Sequence, residues 1–543
     1  VKTYGIYLAY PPVVDLRAEG LGRLLAEFLK AANQRGDIRF VIACPSWSRK
    51  SLQELFEDAS IPPAAFDIVG PEAKPVLLRL YESYEIRKKR KRRKAPSRLF
   101  FRLKAVSAEI AARIERVLVT TRSSLILGFL LLLALPFFAA GAAVYSIWRG
   151  LEFLTAPFVR DWPHRLKQGR FWRALSRTMT KLLGTSMKWR LFHFMEDAEA
   201  KLICDYINLQ KDVQAWYSPT AFWPHFNQIV APRVICVPDI VLTDFPVSFS
   251  SIGGFRFLEV FRAVEKTIEG GAHFVTYSDH IKYQTLVGRY HVNPSAISVV
   301  RHGANALSEL IAVSGSSNDD AATTMFCTNL FRAALHKSIG SPGAVNFYDT
   351  KIRFIFYASQ FRPNKNIISL LRAYEHLLKR RYIGCKLVLT GDPRDLPEIA
   401  RFITDHNLQN DVLCLHGLSA RELAACYRLA DLAVNPSLSE GGCPFTLTEA
   451  LSVGTPVVMA RIAVTEEVVT DSDLQDLMLF DPYDWEAIAN KIEWALQNKD
   501  MLLQRQLKLY EKLAERTWQD VVDEHVAILD RISMQPAQFG RQA

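Results

Sequence analysis

The chain has 543 residues, 49% of them hydrophobic, enough for two or three domains with large cores. Its eight cysteines are scattered without paired spacing, mostly in apolar runs, which excludes a zinc or disulfide framework and suits a reduced, cytosol-facing protein. The net charge of +11 is concentrated: residues 87–122 hold fourteen Lys or Arg against only Glu109 and Glu115, so the remainder is close to neutral, as in a soluble enzyme.

Tyr4–Tyr10 reads as a first strand rather than a signal peptide. Pro11, Pro12 and the stretch Arg17–Arg23 form a loop entering an amphipathic helix, Leu21–Ala32. Gly20 and Gly22 there would let a diphosphate approach the backbone; tight packing explains a Gly-x-Gly before a helix equally well. Phe40–Cys44 and Phe66–Val69 are the next strands, the opening of a Rossmann-like domain.

From about residue 76 to 204 the strand–helix rhythm stops. Arg87–Lys94 is an unbroken basic cluster, and a mixed basic helix follows it. Ser123–Trp148 is then a 26-residue uncharged run, longer than the ~20 residues that span a bilayer as a helix. Trp148, Arg149 and Arg160 are residue types suited to a membrane interface. The rhythm resumes at Val213 with Ser218–Pro224, the strand Arg233–Asp239, Phe274–His280 and Ile297–Asn305. His302 in that last turn reads as a packing or hinge residue, and 314–320 has linker composition.

A second Rossmann-like domain begins near Lys351. Phe354–Ser359 is a strand running into a loop with Arg362 and Lys365, and Leu387–Pro393 and Val412–Ser419 are strands with turns. Leu432–Asn435 is a strand end, followed by Glu440-Gly441-Gly442, a helix through Glu449, the stop Gly454-Thr-Pro456 and a β-rich Val457–Met459. Strand, loop, helix, stop and strand make a βαβ unit, whose ligands sit outside the carboxyl ends of the strands. Backbone N–H groups at Gly441 and Gly442, near a helix start, suit a phosphate. Carboxylates would repel phosphate, so Glu440 and Glu449 suit hydroxyls. Phosphate and hydroxyls together point to a nucleotide sugar.

The stretch from Glu440 to Glu449 resembles the acidic signature of the GT-B glycosyltransferases of family 4, which transfer a sugar from a nucleotide donor with retention at the anomeric carbon. The resemblance implies an α/β fold of two Rossmann-like domains, here with a helical, membrane-associated insertion in the first. It places Glu440 by the donor sugar and Glu449 on the nucleotide ribose. The usual pattern has seven residues between the two Glu; here there are eight. It also implies Arg and Lys in the loop after the first strand of the second domain. Lys365 matches directly, whereas the usual Arg position is Gln360, and Arg362 stands in from a shifted place. Many members carry a His near the reacting sugar where this chain has Pro238, so no catalytic His is carried over and Asp239 remains as an acceptor-side or structural carboxylate. No Asp-x-Asp metal motif stands in a suitable loop; Arg362 and Lys365 would replace a divalent ion, and no metal or cofactor is expected. The resemblance also implies front-face attack, with the acceptor hydroxyl approaching on the side from which the diphosphate leaves.

The expected division is 1–75 with 205–310 as the acceptor domain, 76–204 as the insertion, 311–350 as a linker, 351–515 as the nucleotide-sugar domain and 516–543 as a helix returning to the first domain. Residues before 76 and after 213 share one sheet, so the chain between them crosses a membrane an even number of times or not at all. One 26-residue run interrupted by Pro136 fits a re-entrant hairpin, Leu125–Leu135 and Phe137–Ile147, with the basic segment on anionic lipids. The alternative is a hairpin buried in a homo-oligomer contact. The expected protein is monotopic on the cytoplasmic face of the inner membrane, acting on a lipid-linked or polysaccharide acceptor, with mannose favoured. Two other readings compete: a catalytically inactive GT-B scaffold, and a nucleic-acid-binding protein using residues 87–94. The basic cluster lacks interleaved aromatics and leads into a lipid-like run, which argues against nucleic acid.

Overall fold

The computed structural model describes residues 1–90, 191–338 and 352–534, apart from 13, 15, 17–19, 254, 316 and 394–395. The basic cluster beyond residue 90 and the apolar run 123–148 therefore lie outside the described residues.

Two parallel sheets form two lobes. In the first, β1 (Lys2–Tyr7), β2 (Ile38–Ala43), β3 (Phe66–Val69), β4 (Trp216–Ser218), β5 (Arg233–Cys236), β6 (Phe274–Thr276) and β7 (Ile297–Val299) stand in the order 3-2-1-4-5-6-7. In the second, β8 (Phe354–Ala358), β9 (Lys386–Thr390), β10 (Val412–Leu415), β11 (Leu432–Asn435), β12 (Val457–Ala460) and β13 (Leu479–Phe480) stand in the order 10-9-8-11-12-13. Each sheet runs outward both ways from its first strand, so chain order reverses between β1 and β4 and between β8 and β11. That is the doubly wound plan, with its ligand crevice at the reversal. The central strands β8, β11 and β12 read as apolar runs because helices cover both faces of a parallel sheet; Leu432–Asn435 is buried throughout. The first strand ends at Tyr7, three residues earlier than its apolar run suggests.

Three boundaries differ from expectation. Residues 319–337, read as linker, form one helix inside the second core. Its polar start is a cap: Asn318 accepts from the Ala321 N–H, and Asp319 and Asp320 occupy the positive first turn. Cys327, Phe331, Ala334 and Leu335 follow at helical spacing and are buried against that core. The other two boundaries bracket the insertion. The helix Val76–Arg90 and the helical residues 191–209 belong to the first lobe. Leu78, Phe192 and Met195 pack around Trp47, and buried Glu199 accepts from the Ser46 N–H (2.9 Å) and hydroxyl (3.0 Å).

The helix Trp518–Ser533 starts at a Thr517–Asp520 capping box and buries Val521, Val522, Val526 and Leu529 in the first lobe's core. Lys2 Nζ and the Tyr4 hydroxyl meet the Asp530 carboxylate at 2.8 and 2.5 Å, and Arg35 pairs with Asp523 at 2.8 Å. The chain thus crosses between lobes twice, near 303–307 and near 514–518. The crossings touch: Ala304 N–H donates to the Arg516 carbonyl (3.3 Å), and a Cβ on Gly303 would stand tightly, at 3.0–3.1 Å, against the backbone of Trp518 and Thr517.

Candidate active site

Neighbouring strands β8 and β11 deliver two loops into the crevice of the second sheet. Asn364 joins them. It is 2% exposed, its carbonyl accepts from the Leu438 N–H (2.8 Å) and the Ser437 hydroxyl (3.3 Å), and its Nδ2 donates to the Ser439 carbonyl (3.4 Å). Asn366 then turns the chain at φ 54°, a left-handed conformation that Asn tolerates, and is held by its amide on the Pro482 carbonyl (2.7 Å). With the loops so joined, Lys365 Nζ lies 2.7 Å from Glu440 Oε1, both side chains about one-fifth exposed. Arg362, in the same loop, donates to Gln360 Oε1 at 2.5 Å.

The first lobe closes over this pair. Gly441 lies so close to the end of β5 that a Cβ there would stand 2.0 Å from the Pro238 carbonyl oxygen and 3.3 Å from Asp239 Cβ. Ser278 donates its hydroxyl to the Gly441 carbonyl at 2.9 Å. A Cβ on Gly442 would meet Tyr277 Cβ at 2.7 Å and the His302 ring at 3.1 Å. The two glycines are therefore where the lobes touch. The helix after them begins only at Phe445, so their bareness answers to lobe contact as well as to any phosphate.

Loss of water pushes the Asp239 carboxyl above its ordinary range; the Lys365 and Arg362 cations act against this shift and the Glu440 charge adds to it. Arg362, Lys365, Glu440 and Asp239 thus share one field of two cations and two carboxylates at the lobe boundary. His302 is packed on Tyr277 (ring centroids 4.0 Å) and Phe445 (5.1 Å), and burial pushes it down to about 3, so it is a neutral packing ring. Burial pushes the thiol of Cys443, in the same loop, up to about 12, which removes a thiolate nucleophile at neutral pH. Among the described residues no three metal-ligating side chains converge.

Glu449 lies on the helix Phe445–Ser452, 2% exposed, and accepts from Asn305 Nδ2 at 3.4 Å. Glu467, from the helix Ala463–Val468, ties the lobes beside the crevice. It accepts from the N–H groups of Asp279 (3.0 Å) and His280 (3.2 Å) and from Arg301 (2.9 Å), which also holds Asp279 at 2.7 Å. Gly20 and Gly22 open the first helix, Gly20–Arg35. A Cβ on Gly22 would stand 1.9 Å from the Leu16 carbonyl oxygen, a packing reason for that glycine; Gly20 has open space around it. Sequence reasoning passed over Asn364, Asn305, Arg301 and Glu467. Only the Pro-Asn-Lys context of Asn364, beside the chosen cations, carried a local signal.

Two doubly wound lobes with a crevice between them define a GT-B protein. A glycosyltransferase from Rickettsia africae has the same fold over 98% of this chain and 99% of its own (TM-score 0.52, 12% identity). So does Anabaena HepE, solved with UDP and glucose (TM-score 0.52, 12% identity, 98% and 100% covered). Residues 344–517 match the family Glycosyl transferases group 1, so the second lobe is a domain of that family. The lipopolysaccharide 1,2-N-acetylglucosaminetransferase of Salmonella typhimurium is 28% identical over 153 residues, 27% of this chain and 40% of that protein. The MMP alpha-(1->4)-mannosyltransferase of Mycolicibacterium hassiacum is 36% identical over 119 residues, 22% of this chain and 28% of that protein. The O-antigen chain mannosyltransferase B of Escherichia coli is 30% identical over 147 residues, 27% and 37% of the two chains. This chain thus covers less than half of the length of each of these relatives.

Proposed function

We propose that the protein is a retaining glycosyltransferase that moves a hexose, mannose by preference, from a nucleotide sugar to a lipid-linked or polysaccharide acceptor. One observation carries this reading: Lys365 and Glu440 meet at 2.7 Å in the crevice of the matched domain, with Arg362 in the same loop and Asp239 facing them from the other lobe. When the bond between the anomeric carbon and the phosphate oxygen breaks, negative charge builds on the leaving diphosphate. Lys365 and Arg362 are the cations available to stabilise it, without a metal. The bond from the acceptor oxygen to the anomeric carbon forms on the same face, and the acceptor proton passes to the departing phosphate oxygen. On this reading Glu440 holds hydroxyls of the donor sugar, Glu449 holds the ribose, and Asp239 of the first lobe serves the acceptor side. Mannose is supported by the names of two of the relatives.

The membrane part of the proposal rests on where the undescribed segment begins and ends. The starts of the helices on either side of it pack together around Trp47, so both flanks belong to the first lobe. The uncharged run of 26 residues is too short for two crossings of ~20 residues each, which supports a re-entrant anchor on the cytoplasmic face. Among the described residues no helix is long and apolar enough to cross a membrane.

The deciding experiment is turnover of GDP-mannose, UDP-glucose, UDP-N-acetylglucosamine and ADP-glucose by the purified protein, with and without a membrane extract as acceptor. Sugar transfer or slow donor hydrolysis supports the proposal. Tight nucleotide binding without turnover of any donor would instead identify an inactive scaffold.

A further inference from the structure

Asn305 stands where the chain passes from the first lobe to the second, since Leu307 and Ile311 already belong to the second core. Three hydrogen bonds dock this segment on the helix Phe445–Ser452. The Asn305 N–H donates to Thr448 Oγ1 (3.3 Å), Asn305 Nδ2 to Glu449 Oε1 (3.4 Å) and the Leu307 N–H to Ser452 Oγ (3.0 Å). Thr448 and Ser452 are four residues apart and so share one helix face.

Glu449 is a carboxylate acceptor, so the Asn305 amide presents its NH2 to it and is left with Oδ1. That oxygen is buried and has no hydrogen-bond partner. A buried acceptor with no donor is costly, and the few that occur call for an explanation. Glu449 and Asn305 Oδ1 are two acceptors side by side, and two neighbouring O–H donors complement them. A vicinal diol has that pattern, and the ribose of a nucleoside diphosphate carries one.

We infer that Asn305 completes the ribose site: Nδ2 orients the Glu449 carboxylate, and Oδ1 accepts from a hydroxyl of the same ribose. The inference rests on the nucleotide-sugar reading. It adds that ribose recognition is built at the crossing between lobes, by one residue from each side of it. Nucleotide binding and lobe geometry are then coupled through a single amide.

The test is calorimetric titration of the full chain with GDP, UDP and ADP and with their 2′-deoxy and 3′-deoxy counterparts. The parent protein is expected to prefer at least one ribonucleotide over its deoxy forms. Asn305→Ala should reduce the preference over one of the two deoxy forms about fivefold or more, the worth of one hydrogen bond, and change least the affinity for that form, which lacks the hydroxyl that Oδ1 accepts. Glu449→Gln should act in the same direction, and the double variant should lose less than the two losses combined. Asn305→Asp, nearly isosteric, keeps an acceptor but sets a carboxylate against Glu449; it should lose the preference too, and it serves if the alanine variant fails to fold. Equal weakening of the ribonucleotide and of both its deoxy forms, or an unchanged preference in both Asn305 variants, overturns the inference and leaves the nucleotide reading standing. A parent protein that binds none of the three nucleoside diphosphates overturns both.

Discussion

At the scale of single residues, Lys365 separates two uses of charge. Its ammonium is held by Glu440 at 2.7 Å, and a diphosphate entering the crevice competes with that carboxylate for it. An interaction that strengthens as the leaving group gains charge lowers turnover when removed, whereas a plain phosphate clamp lowers binding and turnover together. Lys365→Ala is therefore expected to reduce kcat by roughly a hundredfold with a much smaller change in donor affinity, measured by steady-state kinetics beside direct nucleotide titration. Equal losses in both would make Lys365 a ground-state clamp, and an unimpaired variant would remove it from the reaction.

At the scale of elements, the short distance between the end of β5 and the acidic loop decides the geometry. Gly441 is there because a Cβ would sit 2.0 Å from the Pro238 carbonyl, a backbone atom that cannot swing aside. Gly441→Ala must displace the loop or part the lobes by about an ångström. A shift of that size at a reacting centre costs roughly a hundredfold in rate. The second lobe's own core lies away from this contact, so the variant is expected to keep its Tm within a few degrees while losing most of its activity. A fully active Gly441→Ala enzyme would show that the contact with Pro238 plays no part in catalysis.

At the scale of the whole molecule, two histidines tie stability to pH. His302 lies between the lobes and is pushed down to about 3, mainly by burial, with the nearby Arg516 cation acting in the same direction. His525, 3% exposed, sits edge-on to Phe28 and Tyr217 and is pushed down to about 4, again mainly by burial. Both folded values lie below the unfolded value of 6.5. The stability they contribute is complete above that value and is lost as pH falls from 6.5 towards the folded values, because the unfolded chain takes up the protons. Each group costs up to ~1.4 kcal/mol per pH unit in that window. Denaturant titrations at pH 7, 6 and 5 should show this decline, and His525→Phe should remove about half of the slope these two residues supply. An unchanged slope would mean that His525 titrates in the folded protein as it does in the unfolded chain.

Membrane topology belongs to the same scale. Cysteine labels at residues 120 and 150 are expected to report one face, the cytoplasmic one. Seven of the native cysteines are buried, so replacing half-buried Cys443 clears the background. Labels on opposite faces would exclude a re-entrant segment. Release of the protein by high salt alone would leave the basic segment as the only anchor.

The alternation of apolar strands with amphipathic helices was legible in the sequence, because burial periodicity is a property of a few consecutive residues. That periodicity marks both Rossmann-like halves, and loop context together with the family resemblance marks Lys365, Glu440 and Glu449. The helix over 319–337 was missed because its Asn-Asp-Asp cap has the composition of a linker until Phe331 and Leu335 are known to be buried. What the tertiary structure decided is which loops meet. Lys365 and Glu440 are 75 residues apart, and Asn305 and Glu449 are 144 apart. No spacing rule pairs such positions; strand order at the chain reversal and the docking of two lobes do. The same docking makes Gly441 and Gly442 contact points between lobes and sets Asp239 against two cations, since close approach and loss of water belong to the assembled molecule and not to any segment of it.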